Sequence, residues 1–308
     1  MVPLCYRGGS PTESPVNNEL KIMSIAPSFN CQLKCDGCYL TTDVTKQMRT
    51  ATKTDYYWKR AMKMGVANGY TELAMTLNPY PGAIEQTINL AIMAKVAGFE
   101  TVNVTMSWGN MDWDEQFERL LRYVDVITES VDENRKGHAA QLIHDESLEE
   151  SERIHTNLNI LWSPKLMQQF VDKEGEAYEH IANTIDLYSL NQEGTYGNML
   201  WQATVQHLIL KPLSLYGDFD FEGAYRKIME DVPLGGDGGL HIGDVAFGNL
   251  LGLNNCPGER MIDIDPMGFA RRCPENSVAY DATTLMKLEG YMKNGIPNCG
   301  DACNCITG

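Results

Sequence analysis

Three cysteines lie within eight residues near the start of the chain, at Cys31, Cys35 and Cys38. They follow the apolar run Ile22 to Ala26, which predicts a short buried strand. Cysteine thiolates are the ligands that hold iron–sulfur clusters in proteins, and a cubane cluster contains four irons. Three cysteines therefore leave one iron open to a group that is not protein. This segment predicts a metal cluster with one open coordination site.

The other six cysteines divide into one near the N-terminus and five near the C-terminus, with none between Tyr39 and Asn255. Cys5 has no cysteine close to it in sequence, and we interpret it as a bystander. In a reducing compartment, clustered cysteines favour metal binding over disulfide formation. The sequence therefore predicts a second, separate metal centre with these candidate ligands: Cys256, Cys273, Cys299, Cys303 and Cys305.

Short apolar strands alternate with helical segments over the first two thirds of the chain. Strands separated by helices pair in parallel through right-handed crossovers, so the pattern predicts an α/β sheet. Chemistry on such a sheet lies at the carboxyl ends of the strands, where the segment with Cys31 begins. The six predicted strands are Ile22 to Ala26, Glu72 to Leu77, Thr101 to Met106, Val124 to Thr128, Leu158 to Leu161, and Ile185 to Leu190.

The alternation of strands and helices stops after residue 193. Residues 194–253 have helical spacing followed by the glycine-rich stretch Leu234 to Leu240. This stretch has neither the preceding strand nor the following Lys-Ser/Thr pair of a phosphate-binding loop, so it predicts flexibility rather than phosphate binding. We interpret the whole segment as a helical and glycine-rich insertion that covers the substrate.

A β-hairpin is predicted near the C-terminus. The strands Met261 to Asp263 and Phe269 to Arg271 are separated by Asp265 to Gly268, whose proline and glycine are typical of a tight turn. The hairpin brings Cys256 and Cys273 toward each other, and a short helix then leads to the last three cysteines. The hairpin and the helix together predict a small metal-binding module.

Acidic residues outnumber basic ones, with 41 Asp and Glu against 25 Lys and Arg, so the formal net charge is −16. This balance argues against a general nucleic-acid surface and against an anionic membrane surface. No stretch approaches the ~20 apolar residues that a membrane helix needs, and the N-terminus has no signal-peptide pattern. We therefore expect a cytoplasmic protein without a membrane partner.

The spacing Cys31-x3-Cys35-x2-Cys38, with Tyr39 after it and βα units following, resembles the radical SAM superfamily. The resemblance implies a partial (β/α)6 barrel in which the three thiolates and S-adenosylmethionine (SAM) share one [4Fe–4S] cluster. It also implies reductive cleavage of SAM to a 5′-deoxyadenosyl radical that abstracts a substrate hydrogen atom, with an electron donor such as flavodoxin or ferredoxin. Zinc is the alternative, but zinc sites have four ligands and no fourth Cys or His is near this triplet.

The same resemblance suggests which side chains contact SAM. The family has a Gly-Gly-Glu-Pro turn after its second strand, and this sequence departs from it with Asn78 and Pro79. Ser130-Val-Asp132 resembles the family's Ser-Leu-Asp, whose serine approaches the methionyl carboxylate or the ribose. Each of these residues could instead be an ordinary hydrogen-bonding residue at a strand end. Four more residues would line the same cavity: Tyr39, Thr105, Asn157 and Asn159.

The spacing Cys256-x11-Gly268-x4-Cys273 resembles the opening of SPASM domains and of the shorter twitch domains, which bind auxiliary [4Fe–4S] clusters. A full SPASM domain has two clusters and seven or more cysteines, whereas five are available here, so the resemblance implies one auxiliary cluster. Zinc remains the alternative metal. Two further ligands would come from Cys299, Cys303 and Cys305.

These observations predict four parts in the chain. Residues 1–20 are rich in Pro, Gly, Ser and Asn and form an irregular arm. The partial barrel spans residues 21–193 and the cover spans residues 194–253. Residues 254–308 form a small C-terminal domain, a β-hairpin plus a helix, with the auxiliary cluster.

The two cysteine sites together predict a radical SAM enzyme that acts on a small molecule or a peptide. Since a second cluster can accept the electron left after hydrogen abstraction, we favour oxidation or crosslinking as the reaction. Epimerisation or rearrangement of a peptide, sugar or nucleotide is one alternative. A non-catalytic iron–sulfur or zinc protein is another, and the missing Gly-Gly-Glu turn favours it.

Overall fold

The computed structural model describes residues 21–33, 52–107, 119–135, 155–190, 204–209, 217–231, 260–272 and 278–297. In this part of the chain the strands form one sheet with helices packed on it. The strands are β1 Ile22–Ile25, β2 Glu72–Leu77, β3 Thr101–Met106, β4 Val126–Val131, β5 His155–Trp162, β6 Thr204–Ile209, β7 Met261–Ile264, β8 Phe269–Arg271 and β9 Tyr280–Asp281.

The strand order in the sheet is β6-β5-β4-β3-β2-β1-β7-β8-β9. Strands β1 to β6 are parallel neighbours in sequence order, which confirms the predicted α/β fold with a parallel sheet. Strand β7 pairs in parallel with β1, and the antiparallel strands β8 and β9 follow it. The C-terminal hairpin therefore continues the main sheet. The closure of the sheet into a partial barrel and the domain boundaries stay predictions.

Local signals in the sequence explain where the helices begin and end. Thr54 accepts a hydrogen bond from the Tyr57 N–H at the start of the first helix, and Ser163 does the same for Leu166 ahead of Pro164. Gly98 ends the second helix at φ 104°, a conformation that favours glycine. The helices are α1 Asp55–Ala67, α2 Ala83–Ala97, α3 Pro164–Asp172, α4 Glu176–Leu190, α5 Phe221–Asp231 and α6 Leu285–Asn294.

The prediction of a sixth strand over Ile185 to Leu190 is wrong, because these residues form the end of α4. Their β-branched and aromatic side chains favour a strand locally. However, Ile181 and Ile185 are four positions apart and both are buried, which is the spacing of one face of a helix. The sixth strand is β6, and it lies inside the segment predicted to be a helical cover. The parallel sheet therefore extends beyond residue 193.

The two faces of the sheet have opposite character. Residues that alternate along a strand lie on opposite faces, and paired residues of neighbouring strands lie on the same face. One face of the sheet packs closely against the helices. At Gly65 of α1, for example, an added Cβ would lie only 3.0 Å from Met23 Sδ. One set is mostly apolar but includes the buried Glu129, and the other carries most of the polar side chains. We call the first set the apolar face, formed apart from Glu129 by Met23, Ile25, Leu73, Met75, Val102, Val104, Leu158, Ile160 and Trp162, and the second the polar face, formed by Ser24, Asn103, Thr105, Thr128, Ser130, Asn157, Asn159 and Asp263.

In the described ranges no helix is long and apolar enough to cross a membrane. The longest helices, α2 and α4, have 15 residues each. A helix rises about 1.5 Å per residue, so each of them is about 22 Å long, shorter than the ~30 Å hydrocarbon core of a bilayer.

Candidate active site

Cys31 lies just beyond β1, at the carboxyl edge of the parallel sheet, and is half-buried. The end of β2 holds the backbone on both sides of it. The Gln32 N–H donates to the Pro79 carbonyl at 2.8 Å, and the Asn78 side-chain amide donates to the Ser28 carbonyl at 3.2 Å. Asn78 and Pro79, two of the predicted SAM contacts, are thus brought beside Cys31, where they bind the cysteine segment.

A chain of hydrogen bonds crosses the polar face. Asn157 Nδ2 donates to Thr128 Oγ1 at 3.5 Å, and Thr128 Oγ1 donates to Asn103 Oδ1 at 3.0 Å. Asn103 Nδ2 in turn donates to Glu72 Oε1 at 3.3 Å. Burial raises the pKa of the Glu72 carboxyl, and the hydrogen bond from Asn103 opposes that shift. Asn157, another predicted SAM contact, therefore belongs to a network that spans β2 to β5.

Two oxygens on the polar face lack a partner within the residues that the structure describes. Thr105 Oγ1 and Asn159 Oδ1 are both buried without a hydrogen bond, and the two residues are only 5% and 1% exposed. Ser130 is paired with Asn159 in the sheet and is also buried. Leaving a buried polar atom unpaired costs about 1–3 kcal/mol. A bound molecule that carries O–H or N–H groups would remove this cost.

Asp132 and Glu133 follow β4 and have different surroundings. Asp132 Oδ1 accepts from the Asn134 N–H at 2.8 Å, and its Oδ2 accepts from the Arg135 guanidinium at 2.8 Å. Both oxygens of this predicted SAM contact are therefore used in a turn. Glu133 Oε1 accepts from the Ser163 hydroxyl at 2.7 Å, whereas Glu133 Oε2 is buried without a partner in the described part of the chain. Sequence reasoning missed Glu133, because no pattern distinguishes it from its acidic neighbour.

A second feature of the polar face lies where β1 meets β7. The Ser24 hydroxyl donates to Asp263 Oδ1 at 2.7 Å. Asp263 is 8% exposed, and its burial raises the pKa of the carboxyl, while Ser24 and the Arg271 guanidinium oppose the shift. Arg271 lies 4.0 Å from Asp263 and binds Asp265 at 3.1 Å. Sequence reasoning missed this pair.

One signal in the sequence could have revealed the polar face. Polar residues recur at every second position with an apolar residue between them, as in Asn103 and Thr105 and in Asn157 and Asn159, whereas Glu129 interrupts the alternation between Thr128 and Ser130. This alternation indicates a polar face on a buried sheet. Ser24 and Asp263 are single polar residues within four-residue buried strands and follow the same rule.

The remaining candidate ligands and the predicted contact Tyr39 lie outside the described residues. In the ranges that are described, no group of three or more His, Cys, Asp or Glu could hold a metal ion. The predicted residues outside these ranges are Cys5, Cys35, Cys38, Tyr39, Cys256, Cys273, Cys299, Cys303 and Cys305.

The described residues fit an iron–sulfur cluster and SAM, the two groups that the resemblance in cysteine spacing implies. The thiol of Cys31 is the ligand type of an iron–sulfur cluster. Asn159 Oδ1 can only accept a hydrogen bond, and Thr105 Oγ1 can accept or donate one. SAM offers matching donors in its ammonium group, ribose hydroxyls and adenine amino group. The polar face and the cysteine segment therefore suit this cofactor pair.

The fold is similar to that of solved radical SAM enzymes. The structure of anSMEcpe with bound AdoMet matches with a TM-score of 0.53 and 13% identity, over 89% of this chain and 81% of that chain. A structure of anSMEcpe with bound AdoMet and Cp18Cys peptide matches with a TM-score of 0.51 and 13% identity, over 89% and 82%. HydG, a maturase of the [FeFe]-hydrogenase, has a TM-score of 0.46 and 14% identity, over 70% of this chain and 51% of its own.

At these identities the likeness shows a shared fold. No protein-family model and no curated protein matches the sequence. The solved structures that share this fold are enzymes of the superfamily that the cysteine spacing resembles.

Proposed function

We propose that this protein is a radical SAM enzyme, which cleaves SAM reductively and abstracts a hydrogen atom from its substrate. The observation that carries the proposal is the position of Cys31 at the carboxyl edge of a parallel sheet whose polar face has unpaired buried oxygens. Ligands of α/β sheets bind at this edge. The similarity in fold to anSMEcpe with bound AdoMet supports the proposal.

The cysteine segment and the polar face have separate tasks in this proposal. Cys31, Cys35 and Cys38 hold the [4Fe–4S] cluster, which when bound supplies the electron that cleaves the SAM sulfonium. Asn159 and Thr105 hold the donor groups of SAM in a buried place, where a hydrogen bond is stronger than in water. Asn78 and Pro79 keep the cysteine segment against β2.

The reaction that we favour is oxidation or crosslinking, with an auxiliary [4Fe–4S] cluster as the electron acceptor. Its ligands would be Cys256, Cys273 and two of Cys299, Cys303 and Cys305. The pairing of β7 with β1 supports a link between the two cysteine sites, because the strands that neighbour Cys31 and Cys273 in sequence belong to one sheet. Flavodoxin or ferredoxin would supply the first electron in the cytoplasm. A peptide is one candidate substrate, since anSMEcpe has been solved with the Cp18Cys peptide.

A second candidate function is a non-catalytic iron–sulfur protein. The contact of Pro79 favours it, since the Pro79 carbonyl already accepts from the Gln32 N–H of the cysteine segment. Fewer groups then remain at this turn to accept from the methionyl ammonium. This candidate predicts a bound cluster but no cleavage of SAM.

Anaerobic reconstitution with iron and sulfide, followed by dithionite and SAM, tests the enzyme proposal. We expect 5′-deoxyadenosine from the wild type and none from Cys35→Ala, because the cluster would lose one of its three ligands. Cys5→Ala is the matched control and should form as much product as the wild type. A reconstituted wild type that forms a cluster but no 5′-deoxyadenosine would support the non-catalytic candidate.

The auxiliary site needs its own variant. We expect Cys273→Ala to keep the cleavage of SAM and to lose product formation once a substrate is known. Iron content measured on the same samples shows whether the variant has lost one cluster. Normal turnover by a variant that lacks the second cluster would contradict a redox role for it.

A further inference from the structure

The chain that carries Cys31 is bound to one short stretch of the C-terminal hairpin at two places, Ala26 directly after β1 and Lys53 just before α1. The Ala26 N–H donates to the Ile264 carbonyl at 3.0 Å, and the Lys53 N–H donates to the Pro266 carbonyl at 2.9 Å. Ile264 ends β7 and Pro266 lies in the turn before β8. The hairpin therefore binds the backbone at Ala26, where the chain leaves the sheet, and again at Lys53, just before α1.

The side chains that follow the segment make further contacts with the hairpin region. Lys53 Nζ donates to the Thr283 carbonyl at 3.1 Å and lies 5.1 Å from the centroid of the Tyr57 ring. The Tyr57 hydroxyl donates to the Ala282 carbonyl at 2.8 Å. Burial raises the pKa of Tyr57, and the Asp265 and Asp281 carboxylates raise it further, so the hydroxyl stays protonated as a donor.

Gly268 leaves the room that the Lys53 side chain needs. Its φ is 85°, and an added Cβ would lie 2.3 Å from Lys53 Cε and 3.2 Å from Thr283 Cα. The lysine stem therefore passes directly over the turn of the hairpin. We call this set of contacts the clasp, which consists of Lys53, Tyr57, Ile264, Pro266, Gly268, Ala282 and Thr283.

We propose that the clasp positions Cys31, so that this residue keeps its place at the carboxyl edge of the sheet only when the C-terminal hairpin is folded. The inference rests on the proposed function, in which these two regions hold the two clusters. Lys53 and Tyr57 are the positioning residues. They bind backbone carbonyls of the hairpin region, so a change in its path alters both contacts together.

Two glycine variants distinguish the effect of disturbing the Lys53 contact from the effect of backbone strain. Gly268→Ala and Gly69→Ala both place a side chain at a φ near +80°, but only Gly268 meets Lys53, since nothing lies within 4 Å of a Cβ at Gly69. The measurement is hydrogen exchange of the reconstituted full chain, on peptides that cover Ala26 to Gln32 and Thr52 to Trp58. We expect exchange in Gly268→Ala to rise about tenfold, and in Gly69→Ala to stay within about twofold of the wild type.

A pair of lysine variants tests the side-chain contact itself. Lys53→Met keeps the aliphatic stem and removes the ammonium group that binds Thr283 and Tyr57. Lys293→Met is the matched control, because Lys293 forms an exposed ion pair with Glu289 on α6. We expect Lys53→Met alone to raise exchange in the two peptides and to change the EPR signal of the reduced, SAM-bound cluster. Tyr57→Phe should have a smaller effect in the same direction.

The outcomes separate this inference from the proposed function. Wild type that forms 5′-deoxyadenosine, together with Lys53→Met and Gly268→Ala variants that exchange like it in both peptides, would overturn the clasp alone. Wild type that forms none would remove the enzyme proposal, while the exchange data would still decide whether the hairpin holds the segment. If Gly268→Ala does not fold, Lys53→Met decides by itself.

Discussion

The apolar and polar faces of the parallel sheet belong to the same strands and are similarly buried, yet they are completed in different ways. On the apolar face, Trp162 packs edge-to-face on Phe170, with 5.0 Å between the ring centroids. On the polar face, Thr128 is hydrogen-bonded within a network, whereas Thr105 and Asn159 each keep a buried oxygen that has no partner in the described ranges. Among the described residues, the first face is filled largely by packed apolar side chains, and the second face keeps two buried oxygens that could accept from a ligand.

Two threonines show this difference at the scale of one residue. Thr105 and Thr128 are paired in neighbouring strands and lie on the same face. Thr128 Oγ1 donates to Asn103 Oδ1, and Thr105 Oγ1 is unpaired in the part of the chain that is described. Residue type and burial alone do not distinguish them. The same substitution at both positions therefore measures what the hydrogen-bond network contributes.

The largest effect is expected on the apolar face. Trp162 is fully buried, and Trp162→Ala should lower the free energy of unfolding by about 3–5 kcal/mol because it leaves a cavity that its neighbours cannot fill. Urea denaturation of the full chain measures the change. The control is Tyr56→Ala, since Tyr56 is 68% exposed and its loss should change the stability by less than about 0.5 kcal/mol. Equal effects of the two variants would contradict the role of the apolar face.

A smaller effect is expected for the bonded threonine of the polar face. Thr128→Val keeps the shape of the side chain but removes the hydroxyl, so Asn103 Oδ1 loses its donor and Asn157 Nδ2 loses its acceptor. The free energy of unfolding should fall by about 1–3 kcal/mol. Urea denaturation again measures it, and an unchanged stability would show that the network contributes nothing.

The buried carboxyl of the polar face predicts a dependence on pH. Burial raises the pKa of Asp263 in the folded protein, so the native state keeps this proton to higher pH than the unfolded chain, whose carboxyl titrates near ~3.9. The stabilising effect of this proton is fully present below the unfolded pKa and is lost as the pH rises through the folded pKa. An asparagine does not titrate in this range, so the Asp263→Asn variant does not lose stability in this way as the pH rises. Its side-chain oxygen can still accept from the Ser24 hydroxyl.

The measurement for Asp263 is a series of unfolding curves at increasing pH. The stability of Asp263→Asn relative to the wild type should increase with pH above the unfolded pKa, by at most about 1.4 kcal/mol per pH unit. Glu72, whose pKa burial also raises, is present in both proteins and cancels in the comparison. A difference that stays constant with pH would contradict a raised pKa at Asp263.

The unpaired threonine is the position at which no loss of stability is expected. Thr105→Val removes a hydroxyl without a partner in the described structure, so the free energy of unfolding of the SAM-free protein should not fall and should rise by up to about 1–3 kcal/mol, the cost of the unpaired oxygen. The affinity for SAM should nevertheless fall about fivefold to tenfold, the equivalent of one hydrogen bond. Equilibrium binding of SAM to the reconstituted protein measures this. A loss of stability as large as that of Thr128→Val would remove the distinction between the two residues.

The sequence by itself determined much of the fold and the chemistry of the candidate site. Apolar and β-branched runs predicted β2 and β3 with the bounds that the structure has. Proline and glycine in the turn predicted the hairpin of β7 and β8. The position of Cys31 after the first predicted strand predicted a candidate site at the carboxyl edge of the sheet. Each of these signals lies within a few neighbouring residues, where propensity and spacing act directly.

Only the tertiary structure decided the contacts between distant segments. Ser24 and Asp263 are 239 positions apart, and nothing local to either strand specifies that β7 pairs with β1. Likewise, strand propensity over Ile185 to Leu190 was outweighed by the burial of one helix face along α4. Neighbours in space also decide which of two adjacent carboxylates keeps an unpaired oxygen. Asp132 binds the Arg135 guanidinium, whereas Glu133 Oε2 has no partner in the described ranges. Such choices are set by which surfaces bury each other, and this information is spread over the whole chain.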